Sequence, residues 1–109
     1  MKEDMSMFLE VFGDSPVLKI TDYFLDNRLL DYSKKDIIEG TGIGRATFFK
    51  YWKNFEKYGI VIISRRFGKT KLYKLNESNP IVKFLIAMDW VLIEKSFESV
   101  KIPIKIKSR

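Results

Sequence analysis

The chain has 109 residues, 46% of them hydrophobic, 15% aromatic and 31% charged, with a net charge of +6. That is one domain's length, with too much apolar and aromatic content for a disordered chain and no apolar run long enough to span a membrane. Cysteine and histidine are both absent, which removes disulfides, thiolate and imidazole chemistry and the usual zinc, copper or haem ligands.

The charge is unevenly placed. Arg45 to Lys74 holds nine basic residues and a single acid, Glu56, whereas residues 1–44 hold nine acids and five bases. A basic block on an otherwise acidic or balanced chain points to a polyanionic partner. The acids near the start, where a signal peptide would carry bases, point to an intracellular, cytoplasmic protein.

Met5, Phe8, Leu9 and Phe12 recur at helical spacing before Gly13, predicting a short helix over residues 1–14. Ser15 as cap and Pro16 in the first turn open a second helix to about Asn27, with Val17, Leu18, Ile20, Thr21, Phe24 and Leu25 inward. Asp22, Asp26 and Asp31 have irregular spacing and read as a solvated face rather than a catalytic set. The segment Leu29–Tyr32 is short and apolar and is expected to form a small strand. Ser33, followed three residues later by Asp36, resembles a capping box; Ile37 and Ile38 face inward, and the helix is expected to stop in Gly40-Thr41-Gly42.

Ile43 leads into a helix over about residues 45–58. Phe48, Tyr51, Trp52, Phe55 and Tyr58 repeat at three and four and form its buried face; the opposite face carries Arg45, Ala46, Phe49, Lys50 and Lys53. Gly59 ends it. Ile60–Arg66 and Lys71–Leu75 are two strands joined through Phe67-Gly68-Lys69-Thr70. Asn79-Pro80 opens a last helix to about Glu98.

Helix, short helix, glycine turn, aromatic-backed helix and basic hairpin together describe a mainly α fold with a small β-hairpin: a winged helix-turn-helix core over residues 15–78, with an N-terminal and a long C-terminal helix. In that geometry the second helix of the pair enters the major groove by its N-terminal residues. Arg45, Ala46, Thr47, Phe49 and Lys50 are the expected base readers, Arg45 because a guanidinium donates twice to guanine. Two roles are open to Phe49, pressing on a thymine methyl or covering the edge of the core. Ser33, Lys34, Lys35, Lys53, Arg65, Arg66, Lys69 and Lys71 are the expected backbone contacts. Strand neighbours point to opposite faces, so one of Arg65 and Arg66 is expected to meet DNA.

The stretch SKKDIIEGTGIGRATFFKYWKNFEKYGIVIISRRFGKTKLYKLN resembles the core of the small archaeal winged-helix transcription regulators related to the ArsR and MarR groups. The resemblance spans about residues 15–95 and is most specific in GIGRATFFKYW, EKYGIV and LYKLNESNPIVK. It implies Arg45, Ala46, Phe49 and Lys50 on a recognition face and Phe48, Trp52 and Phe55 in the core. ArsR-type metal sensing does not carry over to a chain without cysteine or histidine, and Gly44 stands where such helices often have a capping serine.

The last helix, over about residues 79–100, is apolar around most of its circumference, with Lys83, Ala87 and Glu94 on one narrow polar face. That surplus suggests a homodimer through Ile81, Leu85, Met88, Asp89, Leu92, Ile93 and Phe97; a monomer whose N-terminal helix covers the surplus is the other arrangement. The tail, residues 101–109, alternates isoleucine and lysine and suits an added strand, a basic arm or a loose end. The sequence thus predicts a sequence-specific, dimeric regulator of transcription that binds double-stranded DNA, with no enzyme activity, cofactor, metal or membrane partner. The alternative is a winged-helix adaptor for protein contacts without specific DNA binding.

Overall fold

The computed structural model describes residues 6–101, with side chains described from 6 to 98, so Met5 and residues 102–109 lie outside the described residues. The described residues fold into five helices and one antiparallel hairpin, a small α+β arrangement. Its elements are α1 (Met7–Phe12), α2 (Pro16–Asp26), α3 (Lys34–Thr41), α4 (Arg45–Lys57), β1 (Val61–Phe67), β2 (Thr70–Leu75) and α5 (Pro80–Lys101).

Serines start the first three helices. Ser6, Ser15 and Ser33 accept from the backbone N–H three residues on, satisfying a donor that the helix itself leaves free. At α3 the capping box is complete: Asp36 N–H donates to the Ser33 hydroxyl at 3.1 Å, and Ser33 N–H donates to the Asp36 carboxylate at 3.0 Å. The expected glycine turn is shorter than the sequence suggested. Gly40 and Thr41 remain helical, and only Gly42 turns, at φ 74°. Gly40 has a packing role instead, since a Cβ there would lie 2.2 Å from the Tyr23 ring.

The core forms around Trp52. Its indole stacks on Phe48 at 5.1 Å, Phe55 at 5.8 Å and Phe24 at 6.2 Å, and meets Tyr73 edge-on at 5.1 Å. Phe8, Ile20, Leu25, Ile37, Ile43, Val61, Leu75 and Val82 complete a cluster to which every helix and both strands contribute. The α4 stripe therefore buries as its spacing predicts at Phe48, Trp52 and Phe55. Tyr51 is half-buried. Tyr58 is exposed, because the helix has ended at Lys57 and its last position has rotated off the stripe.

In the hairpin Val61 pairs with Leu75 and Phe67 with Thr70, leaving a two-residue turn, Gly68-Lys69, with Gly68 at φ 58°. The register shifts between Ile63 and Arg65, so Ser64 is an extra residue in β1. The strand expected over Leu29–Tyr32 shrinks to one bridge, Tyr32 to Tyr73, with N–H···O distances of 2.9 and 2.8 Å. A turn closed by Leu30 N–H on the Asn27 carbonyl comes just before it and leaves Leu29 and Leu30 in solvent. Asn79 caps α5 through Ile81 N–H and donates to the carbonyls of Tyr58 and Gly59, fixing the start of α5 to the end of α4.

Candidate nucleic-acid interface

The basic block divides between α4 and the hairpin, and Lys34 at the start of α3 lies near both. On α4, Ala46, Lys50, Lys53 and Lys57 lie along the side opposite the buried stripe, all exposed. Arg45 and Phe49, one turn apart, stand beside them. Thr47 is half-buried.

Phe49 sits at the edge of the core and is still part-exposed. One side of its ring meets Phe48 edge-to-face at 5.2 Å, while 40% of the residue remains in solvent. Two cations lie against it: the Arg45 guanidinium at 5.3 Å and the Lys34 ammonium at 5.6 Å from the ring centroid. Attraction to the ring quadrupole draws these long side chains together at the junction of α3 and α4. Lys34 also lies 5.7 Å from the Tyr73 ring, which connects this junction to the hairpin.

Between the start of α3 and the hairpin is an open cleft of about 400 Å³, lined by Ser33, Lys34, Lys35, Lys69, Thr70, Lys71 and Tyr73. Four lysines and the first turn of α3 line one space, and a helix start favours negative charge. Lys35 is partly offset by Glu39, at 4.0 Å one turn along. Lys34, Lys69 and Lys71 form no ion pair among the described residues.

The two adjacent arginines of β1 differ. Arg65 Nε and an Nη donate to the two carboxylate oxygens of Asp31 at 2.8 and 3.1 Å, and the Ser64 hydroxyl donates to the same carboxylate. These hydrogen bonds, Arg65's the larger, hold the Asp31 carboxyl down to about 2. Arg66 forms no ion pair among the described residues. It pairs in register with Lys71, so both stand on one face of the ribbon, and Arg65 stands with Leu72 on the other.

Asp31 reads as a solvated charge by its spacing, yet the Tyr32–Tyr73 bridge brings it against the hairpin. The short apolar segment around it is the signal that it packs on another element. Asp22 is half-buried, and Asp26, though exposed, is partly desolvated by its neighbours. Asp22 accepts from the Ser6 hydroxyl at 2.7 Å, and burial among α1, α2 and α5 raises the carboxyls of Asp22, Asp26 and Asp89.

Of the residues expected at a dimer surface, Leu85, Met88 and Leu92 are partly buried against the core, and Asp89 is half-buried beside Asp26. Ile81, Ile93 and Phe97 are exposed, together with Phe84, Trp90 and Val91, which were not assigned to it.

The chain has no significant match among protein-family models, curated proteins or solved structures. Among the described residues no helix is long and apolar enough to cross a membrane, and no cluster of three or more acidic side chains is arranged to hold a metal ion.

Proposed function

We propose that this chain is a winged helix-turn-helix regulator of transcription that binds double-stranded DNA sequence-specifically as a homodimer. Helix α4 enters the major groove, with Arg45, Ala46, Thr47, Phe49 and Lys50 toward base edges. The β1–β2 wing follows the backbone or the adjacent minor groove. The carrying observation is the cleft between the α3 start and the wing, where Lys34, Lys35, Lys69 and Lys71 meet from segments more than thirty residues apart. Such a cleft suits a phosphate, and its closeness to the Arg45–Phe49–Lys34 group puts charge recognition beside a base-reading surface.

Arg45 is the specificity residue in this reading and Lys69 an electrostatic one. Loss of a bidentate guanine contact costs about 1–3 kcal/mol at one or two base pairs, whereas loss of a phosphate contact weakens all sequences alike. Fluorescence anisotropy with duplex DNA from the gene's upstream region and a scrambled duplex, at low and physiological salt, tests the reading. Preference for the native duplex at both salts, reduced by Arg45→Ala, is the expected result. Equal binding that fades with salt leaves only charge attraction. No binding at low salt removes the DNA reading and favours the adaptor.

A further inference from the structure

The hairpin tip carries a side chain that phosphate binding does not use. Phe67 is the last residue of β1, is 59% exposed and pairs with Thr70 across the two-residue turn. Residues two apart and register partners share a face of the ribbon, so Phe67 stands with Arg65, Leu72 and Thr70. Its ring centroid lies 5.2 Å from the Arg65 guanidinium, the group that Asp31 clasps from behind. A guanidinium fixed in this way is a shelf. It supports the ring at the tip, and its charge is already matched by Asp31. Arg65 thereby acts as a positioning residue for Phe67.

The field around this ring is positive. Arg66, Lys69 and Lys71 surround the tip, and no acid occurs between Glu56 and Glu77. An exposed ring on a narrow basic ribbon has the shape and charge of the apolar wedges that minor-groove binders insert between base pairs, unstacking a step and kinking the duplex. Pyrimidine–purine steps such as TA open most readily.

We propose that Phe67 is such a wedge: it enters the minor groove beside the α4 site and unstacks a flexible base step, so that the protein bends the DNA it binds. This inference rests on the DNA-binding reading above. It adds an activity that major-groove recognition and phosphate contacts do not require.

The experiment uses the full chain and a duplex of about 30 bp with TA steps, carrying a donor and an acceptor at its ends. Anisotropy on the same samples reports binding, and transfer efficiency reports bending. The expected result is increased transfer with the wild type and with Phe67→Leu, which keeps an apolar wedge. Phe67→Ser is expected to abolish the increase while retaining affinity within about tenfold, because the phosphate contacts remain. A wild type that binds without any increase in transfer overturns the wedge and leaves DNA binding intact, as does an equal increase with Phe67→Ser. No binding of the wild type at low salt overturns both readings together.

Discussion

Asp31 Oδ2 lies 2.8 Å from Arg65 Nε, and this contact fastens the link between α2 and α3 to the hairpin 34 residues away. Consecutive strand residues ordinarily point to opposite faces, yet both Ser64 and Arg65 donate to Asp31. The extra residue in β1 at Ser64 resolves this, since a bulge turns two neighbours toward one partner. The same bulge puts Arg65 and Phe67 on one face and leaves Arg66 with Lys71 on the other.

The Asp31 contact has a defined pH signature. Its carboxyl is depressed to about 2 in the folded chain, below the ordinary 3.8. A depressed acid contributes stability that is fully present above its unfolded value and is lost as pH falls through the folded value. Wild type and Asp31→Asn are therefore expected to differ in thermal midpoint by a constant amount from pH 5 to 7. The gap should close between about pH 4 and pH 2. A gap that does not change across this range would detach the ion pair from stability.

Removing Asp31 also frees a cation. If Arg65 then reaches phosphate, Asp31→Ala should steepen the slope of log K against log salt by about 0.9, the value for one more neutralised phosphate. An unchanged slope with weaker binding would mean that Arg65 serves only to hold the tip.

Much of this arrangement is legible in the sequence. The capping box at Ser33, the Phe48–Trp52–Phe55 stripe, the hairpin and the Asn79 start of α5 all depend on local spacing, and each appears within a residue of where that spacing puts it. The differences lie where a residue's role is set by a distant neighbour. Gly40 is a glycine inside a helix because the Tyr23 ring occupies the space a Cβ would take, and Asp31 is held by an arginine from the hairpin. Phe67 belonged to a turn in the sequence and to a strand end in the fold, because the pairing runs closer to the tip than the apolar pattern shows.

Asp22, Asp26 and Asp89 predict the opposite pH behaviour to Asp31. Burial raises all three, with mutual repulsion adding at Asp22 and Asp89. A raised acid costs stability when ionised, and that cost is relieved as pH falls through the folded value. Asp26→Asn is thus expected to raise the thermal midpoint at pH 7, with its advantage shrinking as the solution is acidified toward pH 4. A lower midpoint at neutral pH would mean that the charge at Asp26 has a partner worth more than its desolvation.

Ser33 has two separable duties. As the cap of α3 it stabilises the fold, and Ser33→Ala should cost about 1 kcal/mol in urea unfolding. Aspartate caps as well as serine, so Ser33→Asp should restore the stability. Its negative charge would sit in the lysine-lined cleft, however, and should weaken DNA binding. Binding that follows stability across the three proteins would argue against a phosphate in the cleft.

The proposed dimer also has a definite surface. Val82 is fully buried and Leu85 and Leu92 pack on the core, which fixes the inward side of α5. Ile81, Phe84 and Val91 are 50%, 77% and 52% exposed, and their spacings of three and seven align them along one flank. An apolar row of this kind on a surface helix suits a second copy of itself related by a two-fold axis. Phe84 is its most exposed member, so Phe84→Glu should leave the monomer's melting nearly unchanged. A desolvated aromatic anchor is worth about 2 kcal/mol or more, so self-association should weaken by about thirtyfold or more. Sedimentation over a dilution series measures this directly. A wild type that sediments as a monomer at every concentration would exclude the homodimer, and the palindromic site that a two-fold pair of α4 helices would read.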